Sequence, residues 1–162
     1  MLSKRMLLTV ALGAVLFLPA GVRGEDNKAL VRRWIEEVFN RGNVAAAEEF
    51  VAPTIVIHRA GLPDAKGLDG VKQLVLTLRT AFPDLHLTIE DLVGEGDKVA
   101  IRLTYHGTQK GEFRGVAASG KEMTWTTIGI DHLANGKIQE VWNMSDLGRQ
   151  IGLGSTPGQE KP

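Results

Sequence analysis

The sequence predicts a single α+β domain, with helices first and an antiparallel sheet after them. Two observations carry this reading. Apolar residues recur at helical spacing in the first half, at Leu30, Val31, Trp34, Ile35, Val38 and Phe39, and again at Val71, Leu74, Val75, Leu78 and Phe82. From residue 85 onward the pattern becomes long runs rich in β-branched and aromatic residues, separated by Gly-, Asn- and Asp-containing turns. Helices grouped early and strands grouped late put the helices on one face of the sheet. A sheet curved around such a cover makes a cone with an apolar pocket inside.

The elements follow in order. Asp26 or Asn27 is placed to cap a first helix that reaches Phe39. Asn40-Arg41-Gly42-Asn43 ends it, with Gly42 suited to a left-handed terminal position. Asn43 is placed to cap a short second helix over 44–50, which Pro53 closes. Residues 54–59 read as a strand in which Ile55, Ile57 and Arg59 share one face and Val56 and His58 the other. Residues 61–67 read as a loop, and 68–82 as a third helix stopped by Pro83-Asp84. Strands are expected over 85–93 and 98–108, and 109–119 as a strand extension plus a turn. Residues 124–146 then form the strongest local signal in the chain. Asn135-Gly136 sits between two β-rich limbs, and Asn-Gly specifies a tight hairpin because both residues tolerate positive φ. One helical turn is expected over 147–153.

Composition excludes several functions. The 162 residues carry 19 basic and 19 acidic side chains with no basic cluster in the body, so neither nucleic acid nor an anionic membrane surface is indicated. Without cysteine there are no disulfides, thiolate nucleophiles or cysteine-bound metals. His58, His86, His106 and His132 lack the spacing of a metal-binding pair on a helix, so no metal is expected. At the N-terminus, Lys4 and Arg5 precede an apolar run over 6–20, followed by Val22-Arg23-Gly24 and then Glu25-Asp26. This is the layout of a secretory signal peptide over 1–24 cleaved after Gly24, its apolar run of about 15 residues being short for a membrane span. The expectation is an exported domain over 25–154, periplasmic or secreted, with no membrane contact after cleavage and a disordered polar tail over 155–162.

Proton chemistry is expected along the hairpin. Asp146 ends its second strand, where a carboxylate beside apolar walls would have its pKa raised toward the working range of a general acid/base. The alternative is an Asp that caps the following turn. His58 becomes a hydrogen-bond donor to substrate if it faces the cone, and Arg102 either binds a substrate oxygen or pairs with Glu90 or Asp91. Asp131-His132 resembles an acid/base pair, but strand neighbours point to opposite faces and the nearby turn favours exposure. Trp34, Phe39, Phe113, Trp125 and Trp142 are expected in the core or lining the pocket.

The chain resembles the SnoaL-like polyketide cyclases of the nuclear-transport-factor-2-like superfamily. The residues that carry the resemblance are Trp34 to Phe39 with Asn40-Arg41-Gly42-Asn43, Ile57-His58, Phe82-Pro83-Asp84, Gly107-Thr108, Gly111-Glu112-Phe113, Gly120-Lys121, and Asn135-Gly136-Lys137-Ile138 leading to Glu140-Val141-Trp142 and Asp146. It spans roughly residues 27–154. It implies a cone-shaped fold and ring closure by intramolecular aldol condensation without metal or organic cofactor. It implies an aspartate base that Asp146 matches best and a homodimer formed through sheet faces; beside that base, His58 and Arg102 are the polarising groups expected from the residues themselves. Where the family often shows Glu-His-Trp, this chain has Glu140-Val141-Trp142. The leading expectation is therefore a cofactor-independent enzyme acting on a small hydrophobic carbonyl compound. The alternatives are a non-catalytic binder of such a molecule and another isomerase or hydrolase of the superfamily.

Overall fold

A computed structural model describes residues 20–151. Most of the expected signal segment and the whole of the expected tail lie outside the described residues. The first helix, α1, is Ala20–Trp34. It starts earlier than the sequence suggests, so Asn27 is not a cap; its side chain donates to Gly96 O at 3.0 Å, across the domain. At Ile35–Asn40 the helix widens into a π-turn, with Arg41 N bonded to Glu36 O at 2.9 Å. Trp34, at the end of α1, and Ile35 and Phe39, in the widened turn, point into the interior, each at most 6% exposed.

The Asn40-Arg41-Gly42 motif is a clasp. Asn40 bonds both backbone groups of Leu87. Gly42 takes φ +69°, and a Cβ there would come within 2.7 Å of Arg79 Nε. Arg79 in turn donates to Phe39 O at 2.8 Å and Leu85 O at 3.3 Å. A 3-10 turn at Val44–Ala46, which Asn43 precedes without a side-chain cap bond, leads into the short helix α2, Ala47–Phe50. The strands are β1 (Val51–Arg59), β2 (Leu62–Lys66), β3 (His86–Glu95), β4 (Lys98–Thr108), β5 (Glu122–Ala134) and β6 (Lys137–Ser145), with α3 (Gly67–Ala81) after β2 and α4 (Leu147–Gln150) after β6.

One six-stranded sheet runs β2-β1-β6-β5-β4-β3. All neighbours are antiparallel except β1 and β6, which pair in parallel. A parallel pair requires a long crossover, and everything from β2 to β5 supplies it. The loop expected over 61–67 is instead the edge strand β2; Pro63 and Asp64 mask it, and an edge tolerates a residue with no N–H. The strand extension expected after residue 108 is a loop closed by a Phe113–Val116 bridge and tied to buried Gln109. On the inner face of the sheet, α1 packs across β3 and β4 and α3 across β1 and β2, in one buried cluster with Val99, Ile101, Leu103, Tyr105, Trp125 and Val141. On the outer face, the cross-strand pairs Ile128–Met144 and Ile130–Trp142 lie open to solvent.

Candidate functional site

A cavity of about 400 Å³ opens between the helices and the inner face. Its walls are mostly apolar and include Trp34, Phe39, Phe113 and Trp125, four of the five aromatic residues expected to line it. Tyr105 stacks on Trp125 at 5.1 Å between centroids, and Phe82 packs behind Trp125 at 4.9 Å. Register fixes where the polar groups fall. Asp131 pairs with Val99 and Val141, Gly129 with Ile101 and Asn143, and Arg59 with Asn143. The polar lining thus comprises Asp131, Thr127, Tyr105 and Asn143 along the inner face, with Ser145, Asp146, Arg59, Arg114 and Arg149 also on the wall.

Asp131 is the unusual group. It is 5% exposed, and no donor bonds its carboxyl among the described residues. Burial alone raises its pKa to about 7. The Tyr105 hydroxyl is also buried; burial holds its pKa above the ordinary value against a hydrogen bond with Thr127, and the nearby Asp131 charge adds to the rise. Asn143 crosses the space above Gly129, where an added Cβ would lie only 2.2 Å from Asn143 Oδ1. Glycine at 129 therefore makes room for the carboxamide.

Sequence reasoning placed Asp131 near solvent because of its turn. The turn is exposed, but the inward face is not. Asp131 alternates with Trp125, Thr127, Gly129 and Leu133, and α1 packs on β3 and the adjoining strand β4. The apolar Trp125 and Leu133 in that alternation were the available signal. Tyr105, Asn143, Arg59 and Arg114 were not singled out either, being isolated polar residues in runs that read as core or loop.

The other residues expected to do chemistry divide between the cavity wall and the outer face. Asp146 lies on the cavity wall, half-buried, and its carboxylate is engaged: Thr126 N donates to Oδ1 at 2.8 Å and Gln150 Nε2 to Oδ2 at 3.4 Å. It precedes α4 without a side-chain cap bond, so it latches β5 rather than capping the turn. His58 faces the outer side, opposite Ile57. It stacks on Trp142 at 5.5 Å and bonds Glu140 at 2.8 Å and Asp64 at 3.3 Å. The Glu140 bond, supported by Asp64, holds the imidazolium to higher pH than usual against some desolvation. Arg102 also lies outside, paired with Asp91 at 2.7 Å, the partner expected in its structural reading. Trp142, 43% exposed, is on that same face and not in the cavity. The cavity thus brings together the aromatic residues and Asp146, but not His58, Arg102 or Trp142. No cluster of His, Asp or Glu suited to a metal occurs among the described residues.

Comparison with known proteins follows the same lines. A family model of the SnoaL-like polyketide cyclases matches residues 29–151. The chain belongs to that family. Its fold matches a SnoaL-like polyketide cyclase structure from Jannaschia sp. CCS1 with a TM-score of 0.74 at 24% identity, over 83% of this chain and 94% of the other. AclR from Streptomyces galilaeus, named as a hydroxylase, matches at 0.69 and 28% identity, over 83% and 87%. IdmH from Streptomyces antibioticus, named as a polyketide cyclase, matches at 0.66 and 28% identity, over 78% and 96%. No protein of curated function matches the chain significantly. The Glu140-Val141-Trp142 stretch has a definite location in the fold. Val141 lines the cavity beside Asp131 and presents an apolar wall next to the buried carboxyl.

Proposed function

We propose that this domain is a cofactor-independent acid/base enzyme of the SnoaL-like type, acting on a small apolar carbonyl compound held in the cavity, with Asp131 as the general acid/base. The observation that carries this reading is a carboxyl group on the wall of an apolar cavity, 5% exposed and poised near neutral pH. A general base works best when its pKa lies near the operating pH. As the carboxylate, Asp131 removes a proton from the carbon next to the carbonyl, and the electron pair moves onto the carbonyl oxygen. The enolate carbon then attacks a second carbonyl of the same molecule, as in aldol ring closure. Protonated Asp131 returns its proton to the new alkoxide. The Asn143 amide and the Tyr105 hydroxyl are the donors available to the developing oxyanion. The role that the sequence suggests for Asp146 passes to Asp131, because Asp146 is committed to Thr126.

Asp131→Asn keeps the shape and removes the base. It is expected to abolish proton exchange at carbon acids bound in the cavity while ligand affinity survives, read by deuterium incorporation from solvent. Exchange that persists in the variant, or wild-type protein that binds carbonyl compounds without exchanging or converting them, sinks the reading and leaves a binding protein. The N-terminal sequence supports a site of action outside the cytoplasm. The open row of Ile128, Ile130, Trp142 and Met144 supports association of two copies through the outer face. Light scattering of the wild type against Met144→Lys tests that association, which a monomeric wild type would refute.

A further inference from the structure

Three arginines stand on the cavity wall, and the acid/base chemistry above uses none of them. Arg59 ends β1 on the inner face, in the same cross-strand row as Asn143 and Gly129. Its Nη2 donates to Pro63 O, while its Nε is buried with no hydrogen-bond partner. Buried donors are almost always satisfied, so this group calls for an acceptor. Arg114 comes from the 109–121 loop. That loop is held by Gln109, whose Nε2 donates to Val116 O at 3.4 Å and Ala117 O at 3.2 Å and whose Oε1 accepts from Ser119 at 2.9 Å. Arg114 adopts φ +55°, and its guanidinium lies over the Phe113 ring at 5.1 Å. Arg149, on α4, adds a third charge.

Neither Arg59 nor Arg114 forms an ion pair among the described residues. Both lose basicity, chiefly by desolvation. Arg114 is lowered further by the charge of Arg59, whereas Asp64 partly restores Arg59. Two like charges that feel one another across a partly dry cavity are costly to hold unless a ligand uses them. The carboxyl groups near them are Asp146 and Asp131 on the wall and Asp64 behind Arg59, the last shared with His58. With Asp131 protonated, the three arginines set against Asp146 and Asp64 leave about one positive charge in excess, which matches a monoanion better than a phosphate dianion. The planar guanidinium fork also fits a carboxylate.

We propose that the substrate is a monoanionic apolar carboxylate, its acid group held by Arg59 and Arg114 and its carbon frame lying against Trp34, Phe39 and Trp125. This inference rests on the proton-transfer reading only for the word substrate; the binding claim stands separately. Fluorescence titration of the cavity tryptophans tests it with three matched probes: 4-phenylbutyrate, its methyl ester and 4-phenylbutanol. The acid is expected to bind at least tenfold more tightly than either neutral probe, with that margin shrinking as salt rises. Arg114→Gln, at an exposed loop position, and Arg59→Gln are each expected to erase the margin while leaving the affinity for 4-phenylbutanol within about twofold. If Arg59→Gln fails to fold, Arg59→Lys, which keeps the charge but not the fork, is expected to reduce the margin. Equal affinity for acid and ester, no binding of the acid, or a margin that survives Arg114→Gln overturns the proposal. Asp131→Asn separates the two readings. Loss of the carboxylate margin in wild type defeats the anion site alone, and solvent exchange persisting in Asp131→Asn defeats the general base alone.

Discussion

Asp131 and Asp146 stand toward opposite ends of the paired strands β5 and β6, and both contribute to the same cavity wall. Yet one is desolvated and unpaired while the other is half-buried and bonded to Thr126 N and Gln150. The residue type and the strand pair are shared; only the surroundings differ. At the Asp131 end, the carboxyl lies in the row Val99–Asp131–Val141 on the cavity wall, desolvated and bonded by no donor among the described residues. At the Asp146 end the strand stops, backbone N–H groups become available, and charged side chains gather. A carboxylate in a cone is thus assigned its chemistry by its depth and its partners, and position after a motif does not decide it.

The sharpest way to break this comparison is to remove each carboxylate in turn. Asp131→Asn is expected to lower kcat by about 10²- to 10⁴-fold, the usual contribution of a general acid/base. Asp146→Asn retains an acceptor for Thr126 N and is expected to cost under about tenfold. Equal losses, measured by solvent exchange, would erase the distinction.

Stability against pH gives the next largest effect. The folded-state pKa of Asp131 is raised from 3.8 to about 7, so the folded state holds a proton that the unfolded chain releases. Stability from this group is full below about pH 4 and is lost progressively up to about pH 7, by roughly 4 kcal/mol in all. Asp131→Asn removes that slope. In urea denaturation the variant is expected to exceed the wild type at pH 8 and to match it near pH 4. Asp146→Ala is expected to lose only about 1 kcal/mol, the worth of a hydrogen bond.

Two smaller effects sharpen the picture of the cavity against the outer face. Gly129→Ala places a Cβ 2.2 Å from Asn143 Oδ1, so the carboxamide must move; about 1–3 kcal/mol of overpacking and a loss of turnover are expected. Arg102→Ala breaks an exposed pair with Asp91 on the outer face and is expected to change stability by less than about 1 kcal/mol and solvent exchange not at all.

Much of this architecture could be read before folding. The Asn135-Gly136 hairpin, the inward Ile55, Ile57 and Arg59, and the outward His58 all follow from alternation and turn chemistry. The parallel β1–β6 pairing could not be read, because it joins segments from opposite ends of the domain and no local pattern encodes it. Edge strand β2 was hidden by Pro63. The site was half legible: aromatic lining residues reveal themselves by bulk, but the burial of Asp131 depends on tertiary packing around Val99 and Val141 on the neighbouring strands, which no local pattern encodes. Arg102 and His58 drew attention through their chemistry. Their strand parity, set by apolar neighbours such as Ile57 and Ile101, already pointed them outward.

The most direct test of the account is a ¹³C NMR titration of the Asp131 carboxyl in the folded protein, assigned by the signal missing from Asp131→Asn. A midpoint near pH 7 is the predicted result. A midpoint at or below the model-peptide value of about 3.9 would mean a solvated or paired carboxylate, and Asp131 could not then be the general acid/base of the cavity.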